Sequence, residues 1–399
     1  MKKASEILYS TEKFHITLGL ERIQKMLSIL NNPQDDYRII HVAGTNGKGS
    51  TCKILNEFLI TAGYKTGLFT SPHLFSYEER IKINNKDIDS DIFDDLINEI
   101  DNLAKKNDIS LSEFELLSAC AFYYFSKQKV DFVVLEVGLG GLFDATNVAI
   151  PDISVITTID FDHTERLGKT IEEISIQKAG IIKENIPLVI SKQNLGYKTI
   201  KELAHKKNSK IIEPINVEIE FQKHKNYAYF ENKKFLFNLL GTHQKENLGL
   251  ALSAIKEVIK LDDKIIENAL KSVIWRFRLE YHPQKNLLID GAHNPSGANV
   301  LRNFLNENFK NEKKTFIFGC LKNKEYQKML DILIKDDDKL YFYEFDYPNA
   351  LKFSELKHPK AIKIQTIDEI DEIIKNNQNL KIICGSLYML GNTFKKIDL

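Results

Sequence analysis

A glycine-rich loop between a β-like run and a helical pattern, near the beginning of the chain, most constrains the fold. Residues 37–43 are rich in β-branched and aromatic side chains, as in a buried strand. The loop 44–51, with the sequence GTNGKGST, follows at once, and apolar residues at helical spacing begin at Ile54. Glycines let successive backbone N–H groups turn toward an anion, and the positive end of the helix dipole adds to the attraction. The pattern predicts a phosphate-binding loop, with a purely structural glycine turn as the alternative.

The polar side chains of this loop indicate nucleotide binding. Lys48 supplies a positive charge for the terminal phosphates, and Ser50 or Thr51 can face a magnesium ion. The spacing departs from the strict Walker pattern because Gly49 separates the lysine from the hydroxyl. The predicted nucleotide-binding residues of the loop are Gly44, Thr45, Asn46, Gly47, Lys48, Gly49, Ser50 and Thr51.

Length, charge and cysteine spacing limit the class of protein. A chain of 399 residues favours two domains. Lys plus Arg equals Asp plus Glu, at 55 each, so no net charge attracts nucleic acid or an anionic membrane. No apolar run reaches transmembrane length, and the first residues turn to charge before a signal-peptide core could form. The four scattered cysteines are typical of reduced thiols. We expect a cytoplasmic protein that binds neither nucleic acid nor membrane.

Short β-like runs alternate with helical patterns through most of the chain. This alternation predicts an α/β fold, with a mostly parallel sheet in a phosphate-loop domain at residues 1–273. Residues 211–240 alternate polar and apolar side chains, which predicts a small antiparallel sheet at the edge of that domain. A second α/β run predicts a smaller, Rossmann-like C-terminal domain at residues 274–399, with a hinge near 271–277. The main predicted strands are 37–43, 65–70, 130–137, 153–159, 187–191, 286–290, 315–318, 339–345 and 381–384.

Polar residues follow several predicted strands of the first domain. Ser71 follows the second strand, Glu136 closes an apolar run, and His163 lies just after another. Ligands of open parallel sheets bind outside the carboxyl ends of the strands. Magnesium prefers one or two carboxylates with phosphate oxygens and water, so Glu136 is a candidate metal ligand, although a solvated or lysine-paired carboxylate is the alternative. His163 by itself could equally be a structural histidine.

Two further residues have a structural interpretation, and one further motif has both a structural and a functional one. Glu115 lies on a predicted amphipathic helix and reads as a surface acid. Lys178 lies near the end of a predicted helix, where its positive charge interacts favourably with the helix dipole. Residues 290–295, with the sequence DGAHNP, could start a helix capped by Asn294, or could present Asp290 and His293 at a cleft between the domains.

Taken together, these motifs resemble the dihydrofolate synthase/folylpolyglutamate synthase family within the Mur ligase superfamily. The resemblance implies an ATP-dependent amide ligase of two domains that uses Mg²⁺, with ATP on the first domain and glutamate held near the second. The matching stretches, in the order of the family, are 41–51 (HVAGTNGKGST), 70–74 (TSPHL), 79–81 (ERI), 136–141 (EVGLGG), 144–147 (DATN), 162–163 (DH), 178–181 (KAGI), 290–295 (DGAHNP) and 385–388 (GSLY).

The resemblance also implies roles for individual residues. Ser71, Glu136 and His163 match the family's magnesium ligands. Lys178 matches a lysine that is carbamylated in the family, which would give it a carboxylate-like charge able to serve the metal. The matched ATP contacts outside the loop are Asn247, Arg278 and Asp290. The segments matched to the pterin or folate site contain Ser112, Phe114, Glu115, Phe143, Asp144 and Ala145.

The sequence departs from the family pattern at three places. Leu142 stands where the family has an arginine, so a substrate contact by that arginine is absent or supplied elsewhere. Gln177 replaces a glutamate before the lysine. Residues 275–278 read WRFR instead of WPGR, which changes the expected geometry around Arg278.

The expected reaction joins the α-amine of L-glutamate to a carboxylate of a pterin-containing acceptor. Dihydropteroate would give dihydrofolate and reduced folates would give polyglutamates, through an acyl phosphate, with Lys48 and Lys178 as catalytic residues and His293 positioning or stabilising a reacting species. We expect a monomer. One alternative is a muramyl peptide ligase, although about forty residues before Gly44 are too few for a separate sugar-nucleotide-binding domain. The other is a regulatory ATPase, which would bind nucleotide without glutamate-dependent turnover.

Overall fold

The chain forms two compact α/β units in the computed structural model, which describes residues 3–11, 19–222, 224–395 and 397. The first unit contains Met1–Val217 and Glu246–Ser272, and the second contains Glu218–Lys245 and Val273–Leu399. Each unit has its own sheet covered by helices, as expected when β-like runs alternate with amphipathic helical patterns.

The first unit is built on a sheet whose order, over the described residues, is β4-β3-β2-β5-β1-β6-β7-β8. Strands β2, β5, β1, β6, β7 and β8 are parallel neighbours, whereas β3 and β4 add an antiparallel hairpin at one edge. The central strands β1 and β5 are almost wholly buried because helices cover both faces. The strands are β1 Arg38–Ala43, β2 Thr66–Phe69, β3 Ile81–Ile83, β4 Lys86–Asp87, β5 Phe132–Glu136, β6 Ile153–Ile156, β7 Leu188–Val189 and β8 Ile211–Ile212.

Some helices of the first unit begin with side-chain caps that their sequences supply. Asp89 accepts hydrogen bonds from two N–H groups at the start of α4, and Thr170 forms a capping box with Glu173 at the start of α7. Helix α3, which follows the glycine-rich loop, is buried along most of its length. The helices are α1 Ala4–Thr11, α2 Glu21–Ile29, α3 Lys48–Thr61, α4 Ser90–Lys106, α5 Glu113–Lys127, α6 Thr164–Leu167, α7 Ile171–Ala179, α8 Tyr197–Lys206, α9 Gln244–Val258 and α10 Asp263–Ser272.

The small antiparallel sheet is present, but it belongs to the second unit. Its strands are β9 Glu218–Gln222, β10 Lys225–Phe230 and β11 Lys233–Phe237. The ring of Phe221 packs 5.3 Å from that of Phe304 and 6.2 Å from that of Phe309, both in the second unit. The predicted place at the edge of the first domain is therefore wrong: the sheet belongs to the second unit, where Phe221 packs on that unit's aromatic core.

The second unit is built on a sheet of order β12-β13-β17-β14-β15-β16 in the described chain, parallel except for the edge strand β12. Its core is aromatic, with Phe304, Phe316, Phe318 and Phe342 fully or almost fully buried. The strands are β12 Glu280–His282, β13 Leu287–Asp290, β14 Lys314–Phe318, β15 Lys339–Tyr343, β16 Ala361–Ile364 and β17 Leu380–Cys384. The helices are α11 Pro295–Asn308, α12 Tyr326–Leu333, α13 Ile367–Asn376 and α14 Leu387–Phe394.

The structure also describes the cysteines and the length of the apolar helices. All four cysteines are free and buried, so none forms a disulfide. Within the described ranges, no helix combines the length and the apolar character needed to cross a bilayer.

Candidate active site

The glycine-rich loop joins β1 to α3 and is hydrogen-bonded to the segment that follows β6. The N–H of Thr45 donates to the carbonyl of Thr158 at 2.7 Å, and that of Asn46 donates to Thr158 Oγ1 at 2.9 Å. Gly47 has φ +85°, and a Cβ on it would lie 2.3 Å from Asn247 Oδ1. The structure therefore brings the predicted nucleotide contact Asn247 onto the loop. Thr158 was not predicted, although its place after a buried strand was the available signal.

Two lysine amines converge on the main chain of the loop. Lys48 Nζ donates to the carbonyl oxygens of Gly44 at 3.1 Å and Thr45 at 3.2 Å. Lys178 Nζ, on the last turn of α7, donates to the same Gly44 oxygen at 2.8 Å. The charge of Lys48 beside the loop carbonyls gives this site a positive potential, which an anion would satisfy.

Lys178 does not behave as a surface lysine at a helix end. Burial, followed by the charge of Lys48, lowers the pKa of its amine to about 7, and Asp162 only partly offsets the shift. The helix dipole interpretation gave the correct position, but burial and the neighbouring cation dominate its chemistry.

A buried carboxylate lies on the adjacent strand. Glu136 is the last residue of β5, is 4% exposed, and is in register with Val42 at the end of β1. Its Oε2 accepts a hydrogen bond from the N–H of Ser71 at 3.1 Å. Two of the three predicted metal ligands, Ser71 and Glu136, therefore lie together next to the strand that leads into the loop.

His163 lies three residues after Asp160, which is hydrogen-bonded to Thr45 of the glycine-rich loop. The N–H of Asp160 donates to Thr45 Oγ1 at 3.0 Å, and that hydroxyl donates to the Asp160 carbonyl at 3.2 Å. His163 precedes α6 with φ +50°, and its ring nitrogens lie 3.9 Å from Asp162 and 3.7 Å from Glu165. The described residues contain no group of three His, Cys, Asp or Glu side chains that could hold a metal by itself. Magnesium is held in proteins by one or two carboxylates together with phosphate oxygens and water, so it does not need such a group.

The hydroxyls predicted to face magnesium lie in the first turn of α3. Ser50 and Thr51 are both buried. In the part of the chain that the structure describes, Thr51 Oγ1 is buried without a hydrogen-bond partner. A buried oxygen of this kind is costly unless something else satisfies it, which fits a ligand at this position.

Ser112 and Glu115, in the predicted pterin segment, form the cap of α5. The N–H of Ser112 donates to Glu115 Oε2 at 2.9 Å, and Ser112 Oγ accepts from the Glu115 N–H. Glu115 is buried and forms an ion pair with Arg22 at 3.1 Å. The interpretation of Glu115 as a surface acid is therefore wrong.

Phe114 packs beneath the glycine run 138–141. A Cβ on Gly138 would lie 2.5 Å from the Phe114 ring, so a side chain at that position would displace it. The ring also lies 5.8 Å from that of Phe69. The glycine therefore permits a close approach of the main chain to the ring.

Asp144 shapes the turn that follows. Its carboxylate accepts from the N–H groups of Leu139 at 2.9 Å and Thr146 at 3.0 Å. Burial raises the pKa of Asp144, and these hydrogen bonds oppose the rise. Ala145 is buried in the same turn, whereas Phe143 is 43% exposed and offers its ring to solvent.

In the second unit, Asp290 is the last residue of β13, and its carboxylate links the turn at Leu279 to the segment that follows the strand. Its carboxylate accepts from the N–H groups of Leu279 and Ala292, each at 2.8 Å. Burial raises the pKa of Asp290, and the charge of Arg278 opposes the rise. The predicted ATP contacts Asp290 and Arg278 therefore lie close together.

The segment after Asp290 begins a helix as predicted. Asn294 Oδ1 accepts from the N–H of Gly297 at 2.8 Å, and Pro295 is the first residue of α11. His293 Nδ1 donates to the carbonyl of Gly291 at 3.0 Å, which fixes the orientation of its ring. The capping interpretation is confirmed, and it is compatible with a functional role for His293.

Two of the three departures from the family pattern are neighbours. The N–H of Leu142 donates to the carbonyl of Gln177 at 2.7 Å. A Cβ on Gly180 would lie 2.2 Å from Leu142 Cα, so this contact is tightly packed. The two positions at which the family pattern has arginine and glutamate are therefore adjacent in the structure.

Comparison with known proteins agrees with this architecture. The family described as Mur ligase middle domain matches residues 42–255, and the one described as dihydrofolate synthetase, C-terminal domain, matches residues 276–359. These matches define the class of the chain as a Mur-type ligase. Within that class, the chain belongs to the dihydrofolate synthase/folylpolyglutamate synthase family.

Individual relatives match over nearly the whole chain. The dihydrofolate synthase/folylpolyglutamate synthase of Bacillus subtilis is 34% identical, covering 96% of both chains. The crystal structure of folylpolyglutamate synthase from Thermotoga maritima has a TM-score of 0.87 at 30% identity, covering 98% of this chain and 96% of that one. The bifunctional enzyme from Yersinia pestis, complexed with AMPPNP and Mn, has a TM-score of 0.87 at 27% identity and covers 99% and 98%.

Proposed function

We propose that this protein is an ATP-dependent ligase that joins L-glutamate to dihydropteroate, giving dihydrofolate, and to reduced folates, giving polyglutamates. The observation that carries the proposal is the convergence of Lys48 and Lys178 on the loop carbonyl of Gly44. This arrangement suits the transfer of a highly charged phosphoryl group. Membership of the family supplies the substrate class.

The proposed cofactors are ATP and Mg²⁺. The Yersinia pestis relative is complexed with AMPPNP and Mn, which supports a nucleotide with a divalent metal. The buried Glu136 carboxylate and the unpartnered Thr51 hydroxyl are hard oxygen ligands that fit magnesium. Ser71, Glu136 and His163 would hold the ion, which when bound neutralises phosphate charge.

The reaction requires ATP because a carboxylate has no adequate leaving group. A carboxylate does not accept an amine at neutral pH because oxide is a very poor leaving group. Transfer of the γ-phosphoryl group of ATP to the pterin carboxylate gives an acyl phosphate and ADP. The α-amine of glutamate then attacks the acyl carbon, loses a proton, and expels phosphate to leave the amide. Lys48 and the loop N–H groups stabilise the charge of the transferring group.

Other residues have proposed supporting roles. The first predicted domain, 1–273, would bind ATP and the second, 274–399, would serve glutamate ligation, with the strands 218–237 reassigned to the second. Asn247, Arg278 and Asp290 are the proposed ATP contacts outside the loop, and His293 would position or stabilise a reacting species.

The pterin site is proposed at the segments around α5 and the 138–145 turn. Phe143 offers an exposed ring on which a flat pterin could stack. Ser112, Glu115, Asp144 and Ala145 would act mainly by fixing these segments, since their side chains serve caps or lie buried. Phe114 fixes the glycine run from beneath.

An assay that varies the acceptor tests the reaction. We expect ADP release that requires glutamate and either dihydropteroate or a reduced folate. Turnover with a muramyl peptide precursor, and none with either pterin, would favour the cell-wall ligase. ATP hydrolysis indifferent to both glutamate and acceptor would favour the regulatory ATPase. The same preparation, run at several concentrations on a sizing column, tests the proposed monomer.

The proposed location is the cytoplasm. The four free thiols are consistent with this reducing compartment.

Lys178 is proposed to be carbamylated. A pKa of about 7 leaves about half of the amine unprotonated at neutral pH, when it can attack CO₂ and lose a proton to give the carbamate. The resulting anion would be attracted to Lys48 instead of repelled by it. We predict that depletion of CO₂ lowers activity at least about tenfold and that bicarbonate restores it.

Labelled bicarbonate provides the direct measurement. Carbon-13 NMR should show a carbamate resonance that disappears in Lys178→Arg. Lys183→Ala is the matched control, because burial also lowers the pKa of Lys183, to about 8, and its amine donates to the carbonyl of Asn147. A resonance that survives Lys178→Arg, or activity indifferent to bicarbonate, would exclude the modification.

A further inference from the structure

The turn that carries Arg278 in the second unit has an uncommon backbone. Phe277 has φ +59° and Leu279 has φ +46°, so the residues on both sides of Arg278 adopt the left-handed conformation. Residues with a Cβ rarely do so, and the conformation persists only when the surroundings impose it. The family pattern has glycine at position 277, and glycine adopts this conformation without steric cost.

Three hydrogen bonds hold this turn. The N–H of Phe277 donates to Glu280 Oε2 at 2.9 Å, and its carbonyl accepts from the N–H of Gly291 at 2.8 Å. The N–H of Leu279 donates to Asp290 Oδ2 at 2.8 Å. The N–H of Phe277 is therefore fixed by the Glu280 carboxylate, and the two peptide groups beside Arg278 are fixed by the N–H of Gly291 and by the Asp290 carboxylate.

Glu280 is held in place by its other neighbours. Its Oε1 accepts from His282 Nε2 at 3.1 Å, and its Oε2 accepts from Arg276 Nε at 3.1 Å. Burial favours the neutral acid, but the hydrogen bonds from His282 and from the Phe277 main chain outweigh it and lower the pKa of Glu280. The carboxylate is therefore charged at neutral pH and is a strong acceptor.

The guanidinium of Arg278 lies directly against the main chain of Gly291, the residue that follows β13. A Cβ on Gly291 would lie 2.7 Å from Arg278 Nη1. The same glycine donates to the Phe277 carbonyl, so the turn and the guanidinium are both located relative to one short stretch, Asp290–Gly291.

We propose that Glu280 is a positioning residue for Arg278: its carboxylate holds Phe277 in the left-handed conformation and so directs the guanidinium along Gly291. This inference rests on the proposed ATP contact of Arg278. The phenylalanine at position 277 makes the carboxylate more important here than it would be beside a glycine.

A double-mutant cycle on the full-length enzyme tests the proposal. The variants are Arg278→Ala, Glu280→Gln and the double variant, and the measured quantities are KM for ATP, KM for glutamate and Tm. We expect Arg278→Ala to raise KM for ATP about 30-fold and Glu280→Gln to raise it about tenfold, as for the loss of a charged hydrogen bond. The double variant should be no worse than Arg278→Ala, because Glu280 acts through Arg278.

Glu344→Gln is the matched control in the same unit. Glu344 accepts from the N–H of Phe353 at 2.9 Å and pairs with Lys352 at 3.3 Å, so it has the same kind of contacts away from the Arg278 turn. Its replacement should change Tm without changing KM for ATP. If Glu280→Gln does not fold, Glu280→Asp replaces it in the cycle, since the shorter side chain keeps the charge but withdraws the acceptor from the N–H of Phe277.

The outcomes separate the two claims. An unchanged KM for ATP in Arg278→Ala would remove the ATP contact of Arg278 and the positioning role with it. A raised KM in Arg278→Ala, with no effect of Glu280→Gln or with effects that multiply in the double variant, would overturn only the positioning role. Equal rises in both KM values for Glu280→Gln would also overturn it, because they indicate a general structural defect.

Discussion

Lys48→Ala is expected to abolish ligation, lowering kcat by about a thousandfold or more, while the protein stays folded. The amine of Lys48 lies on the loop carbonyls of Gly44 and Thr45, where the γ-phosphoryl group would be transferred. Its removal leaves the developing charge without a fixed cation in a site where charges interact strongly. The pKa of Lys178 should rise at the same time, because the charge of Lys48 contributes to lowering it. The measurements are ADP release and Tm.

A lysine at the other end of the same sheet provides the control. Lys65 precedes β2 and also donates to a main-chain carbonyl, that of Gln128. Lys65→Ala should retain kcat and show a modest change in Tm. If Lys48→Ala kept more than about a tenth of the wild-type kcat, the loop would have no part in phosphoryl transfer.

Glu136→Gln is expected to lower kcat by about a hundredfold or more and to raise the Mg²⁺ concentration needed for half-maximal activity. The amide keeps the size of the side chain and can still accept from the N–H of Ser71, so the fold should persist. It lacks the negative charge that a divalent cation requires. The measurement is a titration of activity with Mg²⁺ at saturating ATP.

Glu57→Gln is the matched control for this prediction. Glu57 is another buried glutamate of the first unit, paired with Lys53 at 3.3 Å and accepting from Asn85 at 2.9 Å. Its replacement should lower the free energy of unfolding by about 1–3 kcal/mol and leave the Mg²⁺ requirement unchanged. A Glu136→Gln enzyme with wild-type Mg²⁺ dependence would exclude Glu136 as a metal ligand.

The sequence predicted those features that depend on neighbouring residues. The strand before the loop was placed within one residue, and a helix was predicted directly after the loop, because the strand, glycine loop and helix are contiguous and each has its own local signal. The cap at Asn294 was predictable for the same reason. The edge strands 81–87, 280–282 and 361–364 were missed because they are short and only partly buried.

The features that the sequence could not predict depend on distant partners. Glu115 is buried because it pairs with Arg22, about ninety residues earlier in the chain, and helical spacing alone cannot show this. The β9–β11 sheet belongs to the second unit because Phe221 packs on Phe304, again far away in sequence. The lowered pKa of Lys178 depends on Lys48, which only the folded loop brings near.

Transfer of a labelled oxygen tests the central claim most directly. Dihydropteroate whose carboxylate carries heavy oxygen would be turned over with ATP and glutamate, and the released phosphate analysed by mass spectrometry. If the carboxylate attacks the γ-phosphoryl group, one labelled oxygen should appear in phosphate for each amide formed. Amide formation with unlabelled phosphate would contradict an acyl phosphate, and with it the role assigned to the loop and its two lysines.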